Sequence, residues 1–244
     1  MKISEQTIHG LPDVYQRIED AVHHEESLSL IRLCSGEAFT LAHNTVLPMS
    51  KIPWWVEYAG VKLPNERARQ ELLTVVKEAD IVGFSTNYAN WMAAPLLDSA
   101  LSYYNITAPA FITDSEINWS LHRYEAFYNL LSSLPIVVVG RLAADATPLL
   151  VEKGLEVVAA VSLEGFEDIE RAEHQLLNGP SFRVALIAAG IPATIFAQRL
   201  SKKLGCIALD YGHVINDLLQ PGFNAVELLK VKERWRTINR KKMI

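Results

Sequence analysis

Two cysteines, Cys34 and Cys206, in 244 residues form no C-x-x-C metal spacing, and they suit a reducing compartment better than a disulfide framework. Both read as packing residues of a strand or turn. No run of about eighteen apolar residues occurs, and the opening MKISEQTIHGLPD has no apolar h-region. Neither a transmembrane segment nor a secretory leader is therefore expected, and the expected compartment is cytoplasmic. Positive charge is not in excess: 23 Lys and Arg stand against 28 Asp and Glu, a net charge of −5 that argues against a general nucleic-acid binder. The fingerprint G-x-G-x-x-G is absent, as are internal repeats, low-complexity tracts and any linker long enough to divide the chain. One domain over 1–244 follows.

What is present is half hydrophobic and strongly patterned. Seven short aliphatic or β-branched runs recur: SLSLIRL, ADIVGFST, APAFIT, PIVVVG, EVVAAVS, RVALIAA and CIALD. Continuous runs of this kind are buried on both faces, as in parallel sheets covered by helices, so the fold class is α/β: Rossmann-like, mostly parallel and flanked by helices. Helices are expected over Asn65–Ala79, Ala94–Tyr104, Leu121–Leu131, Ala144–Lys153, Phe166–Leu177 and Pro192–Leu204, several stopping at Gly154, Gly179 and Gly205. An N-terminal helix within residues 1–27 starts at Pro12 and Asp13 and carries Val14, Ile18 and Val22 on one face. Adjacent His23 and His24 point in different directions on such a helix and make no metal pair.

Residues 43–64 interrupt this rhythm with three prolines and the pair Trp54–Trp55. An aromatic, proline-rich insertion here either walls a ligand crevice at the strand ends or packs over an exposed helix. Residues 225–244, ending in RKKMI, form a basic C-terminal helix or tail with no assigned role.

The stretch FITDSEINW places Asp114 and Glu116 where an apolar run stops. In an extended segment alternate side chains share a side, and two carboxylates held together repel unless a cation lies between them. Mg²⁺ or Mn²⁺ would relieve that repulsion and take its other ligands from water and substrate phosphates. Asp114 serving only as a helix cap is the plainer alternative. Polar residues gather at other strand ends too. Arg32 precedes the turn Cys34-Ser35-Gly36-Glu37, whose first amides could face an anion. Asp210-Tyr211-Gly212-His213 offers a ribose contact, a base or a metal contact, or else a satisfied turn. Asn87, Tyr88 and Trp91 suit stacking on a base or sugar, and His122 and Arg123 bring positive charge near the carboxylate pair.

Taken together, Arg32, Gly36 and Glu37 after the first strand, Asp114, Glu116 and Asn118, the strand end Val137 to Arg141, and Asp210-x-Gly212-His213 resemble the GT-D fold glycosyltransferases from about Leu28 to Asp217. The resemblance implies transfer of a sugar from a nucleotide sugar, a UDP-sugar being favoured, to a saccharide or glycosylated acceptor. It implies a divalent ion at Asp114 and Glu116, with Arg32, Glu37, Asp210 and His213 near the donor. Glu37 and His213 are the candidate bases, and Arg32, Gly36, Asn87, Asn118, Arg123, Asp210 and Gly212 the candidate substrate contacts. The first turn departs from the family's Arg-x-Gly-x-Gly-Glu at Cys34 and Ser35, which bears on sugar specificity or on activity itself. Two other readings stand beside it. One is an NAD(P) oxidoreductase using Gly140 and Glu164, and the other a noncatalytic nucleotide-sugar-binding or scaffolding module.

Overall fold

The computed structural model describes residues 1–223 and Lys230. All seven aliphatic runs are strands: β1 (Leu28–Leu33), β2 (Ile81–Phe84), β3 (Ile112–Asp114), β4 (Pro135–Gly140), β5 (Glu156–Val161), β6 (Val184–Ala188) and β7 (Ile207–Asp210). They form one sheet in the order β3-β2-β1-β7-β6-β4-β5, with every neighbouring pair parallel. The basic tail expected over 225–244 lies outside the described residues apart from Lys230.

Alternation along the strands divides the core in two. Ile31, Leu33, Val82, Phe84, Val137, Val139, Ala185 and Ile187 point to one face, and Leu28, Leu30, Ile81, Ile136, Val138, Val184 and Leu186 to the other. The first face is covered by α2 (Ser35–Ala42), α4 (Glu66–Glu78), α5 (Ala94–Tyr103), α9 (Ile169–Leu177) and α10 (Ile191–Leu204). The second is covered by α1 (Leu11–His23), α6 (Ile117–His122), α7 (Glu125–Leu131), α8 (Ala143–Glu152) and α11 (Val214–Leu219). The sheet is thus doubly wound. Burial of each large aliphatic side chain contributes roughly 2 kcal/mol relative to exposure, and this is what drives both layers onto the sheet.

Local chemistry sets the helix ends. Asn65 accepts the Ala68 amide at 2.9 Å and starts α4, and Gly205, in the left-handed conformation, ends α10. Two expectations need correction. The helix placed over Leu121–Leu131 is two helices, α6 and α7, parted at Tyr124, whose backbone is extended. The break turns the Tyr124 ring edge-on to Tyr15 of α1 while Leu121, Phe127 and Leu131 all stay buried. Strand β5 is only partly buried, because it is the sheet edge and has a single neighbour.

Residues 43–64 hold a 3₁₀ turn (Met49–Lys51) and the short helix α3 (Trp55–Tyr58). Backbone bonds pin this insertion across the sheet end: Ala59 C=O accepts the Ile191 amide at 2.9 Å, and Gly60 C=O accepts the Phe166 amide at 2.8 Å.

Candidate functional site

In a doubly wound sheet the crevice forms outside the carboxyl ends of the strands, where the chain's direction of travel across the sheet reverses. Here β1 leads outward to β2 and β3, and the chain then crosses to β4 and returns to set β7 beside β1. A cleft of about 640 Å³ opens at that end. It is lined by residues following β1, β3, β4, β6 and β7, with Trp55 and Tyr58 of the insertion in its wall. Trp55 also meets Phe39 edge-on at 5.6 Å, so the tryptophan both walls the cleft and packs over α2.

Arg32 forms the cleft's buried base. Its Nε donates to the Asp210 carbonyl at 3.0 Å, Nη1 to the Ser115 carbonyl at 3.0 Å, and Nη2 to Asp210 Oδ1 at 3.0 Å. Three strand ends are thereby tied to one guanidinium. Burial works against the Arg32 charge, but the facing Asp210 carboxylate overrides it and holds the guanidinium above its ordinary pKa. Burial also raises the Asp210 carboxyl, with Arg32 opposing. Gly212 is required here: its φ is +54°, and a Cβ would lie 1.9 Å from Arg32 Nη2.

Glu37 is buried in the first turn of α2. Its Oε2 accepts the Cys34 amide at 2.8 Å, so a carboxylate of the chain itself caps the helix start that the sequence suggested for an anion. Burial, and then the nearby Asp210 charge, push its pKa up to about 7. Thr194 of α10 makes the consequence visible. Its Oγ1 donates to the Arg32 carbonyl at 2.9 Å and also lies 3.4 Å from Glu37 Oε1 and 3.3 Å from Asp210 Oδ2. A hydroxyl has one hydrogen, so a second hydrogen bond in this group needs a proton supplied by a carboxyl. Burial likewise pushes the Cys34 thiol up to about 12, so it is no ready nucleophile.

The carboxylate pair is built differently from the extended arrangement expected. Strand β3 ends at Asp114, and Glu116 is the N-cap of α6, so the two do not alternate along one strand. Asp114 Oδ1 accepts the Glu116 amide at 2.7 Å, and Oδ2 accepts the Thr86 hydroxyl. Glu116 is exposed and lines the cleft. Among the described residues no group of three or more His, Cys, Asp or Glu side chains is placed to hold a metal ion. Of the pair only Glu116 lines the cleft, while both Asp114 oxygens already accept donors of the chain, so an ion there would take most of its ligands from water and ligand oxygens.

Other predicted residues divide clearly. Arg32, Gly36, Glu37, Glu116, Asn118, Asp210, Gly212 and His213 line the cleft. Asn118 is buried, its Nδ2 donates to the Tyr211 carbonyl at 3.0 Å, and its Oδ1 takes no donor from the described residues. His213 is exposed at the mouth, with Phe223 stacked 6.4 Å away. Asn87 is turned into its own loop, where Oδ1 accepts the Ala89 and Asn90 amides, and Asn90 lines the cleft in its stead. Tyr88 bonds Asp98 at 2.9 Å, and the exposed Trp91 meets Phe39 edge-on at 6.0 Å. Arg123 lies over the Trp119 ring. His122 points to the Tyr128 hydroxyl at 2.5 Å and the Tyr211 hydroxyl at 3.1 Å, and burial lowers its pKa. Thr194 and Ser115 were not anticipated. Thr194 sits in an apolar helical pattern, and Ser115 contributes through its backbone carbonyl, which no side-chain motif announces.

Among the described residues no helix is long and apolar enough to cross a membrane. A family model for a GT-D fold-like domain matches residues 9–218. No curated protein matches. Among solved structures, the chain is similar to one described as the highly conserved domain of unknown function 1792 with a distinct glycosyltransferase fold. The TM-score is 0.59 at 16% identity, covering 86% of this chain and 79% of that one. A second, described as a new glycosyltransferase from Streptococcus sanguinis, gives a TM-score of 0.56 at 14% identity over 86% of this chain and 82% of that one.

Proposed function

Because the chain belongs to the GT-D fold-like domain family, we propose that it is a glycosyltransferase whose cleft takes a nucleotide diphosphate sugar and a hydroxyl-bearing acceptor. The observation that carries this reading is the meeting of the exposed Glu116 carboxylate and the buried Arg32 guanidinium in one cleft at the strand ends. Glu116 and Asp114 are the residues that would hold a divalent ion, Mn²⁺ or Mg²⁺. Such an ion, when bound, neutralises charge on the leaving diphosphate.

The chain's own residues supply the rest. Arg32, held by Asp210 and two carbonyls, keeps the strand ends of β3 and β7 in place around the cleft base. Asn118 Oδ1, a buried acceptor without a donor among the described residues, suits a ligand hydroxyl, since an unmet acceptor there costs about 1–3 kcal/mol. His213, exposed and lining the cleft, is the candidate base for an acceptor proton. Glu37, deeper and titrating near neutrality, stores or releases one beside Asp210. Trp55 and Tyr58 offer aromatic faces to a sugar ring or base.

Calorimetric titration of UDP and GDP, with and without Mn²⁺, checks the reading against wild type, Asp114→Ala and Glu116→Ala. Binding of one nucleotide that depends on Mn²⁺ and weakens at least about tenfold in Glu116→Ala is expected. Binding indifferent to both the metal and the substitutions overturns it.

A further inference from the structure

Arg141 is the second arginine of the cleft, and unlike Arg32 it is held by a partner it can leave. It emerges directly after β4, where Gly140 has φ +145° and a Cβ would lie 2.2 Å from the Ala188 carbonyl. That tight seam between β4 and β6 fixes where Arg141 starts. The side chain is 37% exposed and lies over the Tyr58 ring, 5.3 Å from its centroid. Its Nε donates to Glu164 Oε2 at 3.0 Å and its Nη2 to the Glu164 carbonyl at 3.3 Å. Glu164 is itself 59% exposed. In the other direction, β4 stands two strands from β7, about 10 Å at the usual strand spacing, and Arg141 lines the same cleft as Arg32 and Asp210.

We propose that Arg141 grips the diphosphate of the ligand and that Glu164 is its built-in competitor, exchanged for phosphate oxygens when the ligand enters. The inference rests on the reading of the cleft as a nucleoside diphosphate site. An exposed Arg–carboxylate pair is held by little, whereas a guanidinium forms bidentate, charge-assisted bonds to a diphosphate, whose two phosphates together carry more charge than one carboxylate. Tyr58 keeps the guanidinium plane against the wall during the exchange, so the head group turns while its stem stays packed. The N-terminus of α10, which also borders the cleft, cannot do the same work. The Ile191 amide of α10 is taken by the Ala59 carbonyl, and the next residue is Pro192, which has no N–H.

The competitor role makes an unusual prediction of sign: removing the Glu164 charge tightens binding. Titration of UDP, GDP and inorganic pyrophosphate, each with Mn²⁺, into wild type, Arg141→Ala, Arg141→Lys and Glu164→Gln decides it. Arg141→Ala is expected to raise Kd about ten- to a hundredfold, with Arg141→Lys in between. Glu164→Gln, which retains an acceptor for the Ser162 hydroxyl, is expected to lower Kd about two- to fivefold, an effect that shrinks at high ionic strength. A purely structural pair would instead give weaker binding in Glu164→Gln together with a lowered melting temperature. If wild type binds but Glu164→Gln binds no tighter, or Arg141→Ala binds equally well, this inference falls and the cleft reading stands. If wild type binds none of the three ligands, both fall.

Discussion

Glu37 has one carboxylate oxygen on the Cys34 amide and the other 3.4 Å from Thr194 Oγ1, in space so closed that ionisation is opposed first by burial and then by Asp210. Its pKa is pushed from 4.5 up to about 7. Between those values the unfolded chain has released the Glu37 proton while the native protein retains it, so the native state binds more protons and stability falls as pH rises. Above about pH 7 the loss is complete, on the order of 1–3 kcal/mol. Glu37→Gln keeps an oxygen for the Cys34 amide and offers an N–H toward Thr194, with no charge to bury. It is expected to flatten this decline and to be the more stable protein at pH 8, read by urea denaturation at pH 5 and pH 8. A variant that follows wild type across this window would refute the assignment. The sequence marked Glu37 as a site residue but not as a buried one, because burial depends on Thr194 and Asp210 arriving from α10 and β7, more than 150 residues away along the chain.

At the level of elements, the seven strands and most helix stops were readable because each strand carries its own aliphatic run and most stops have a Gly, Asn, Asp or Pro close by. What was not readable depends on neighbours. The break between α6 and α7 follows from packing against α1, and the exposure of β5 from its edge position. The pair Asp114 and Glu116 was legible, but its arrangement was not, since the strand stops at Asp114 and a helix begins beyond Glu116. Asp80 shows another such dependence. Its Oδ2 accepts the Ser29 amide at 2.8 Å and the Ser29 hydroxyl at 2.7 Å, while its own amide donates to Ser29 Oγ at 3.0 Å. This reciprocal clamp fixes the start of β2 against buried Ser29 of β1 and so sets the register that places both strand ends at the cleft. Asp80→Ala leaves the buried Ser29 groups without an acceptor and is expected to cost about 1–3 kcal/mol, whereas Asp80→Asn, which retains an acceptor oxygen, costs less. Chemical denaturation of the two variants checks the order, and equal losses would mean that the clamp does not set the register.

Across the whole molecule the sheet has two halves, β3-β2-β1 and β7-β6-β4-β5, that meet where β1 lies beside β7. The seam is short, with Leu28, Ser29 and Leu30 opposite Ile207, Ala208 and Leu209. At its carboxyl end Arg32 bonds both sides at once, to Ser115 beyond β3 and to Asp210 on β7. The cleft depends on the same contact, since Gly212, Asn118 and Glu37 are arranged around it. Arg32→Met removes the bridge and leaves Asp210 as a buried, unpaired acid, which is expected to cost about 3–5 kcal/mol. Asp210→Asn alone leaves the Arg32 charge unpaired and is also expected to destabilise. The double variant has no buried charge from either residue and is expected to lose less than the sum of the two single losses, because each single loss includes the cost of the abandoned partner. Urea denaturation of all four proteins closes this cycle. If the losses simply add, the two groups are not acting as one bridge, and the joint between the halves lies in the β1–β7 ladder and the contacts of α10 with both strands.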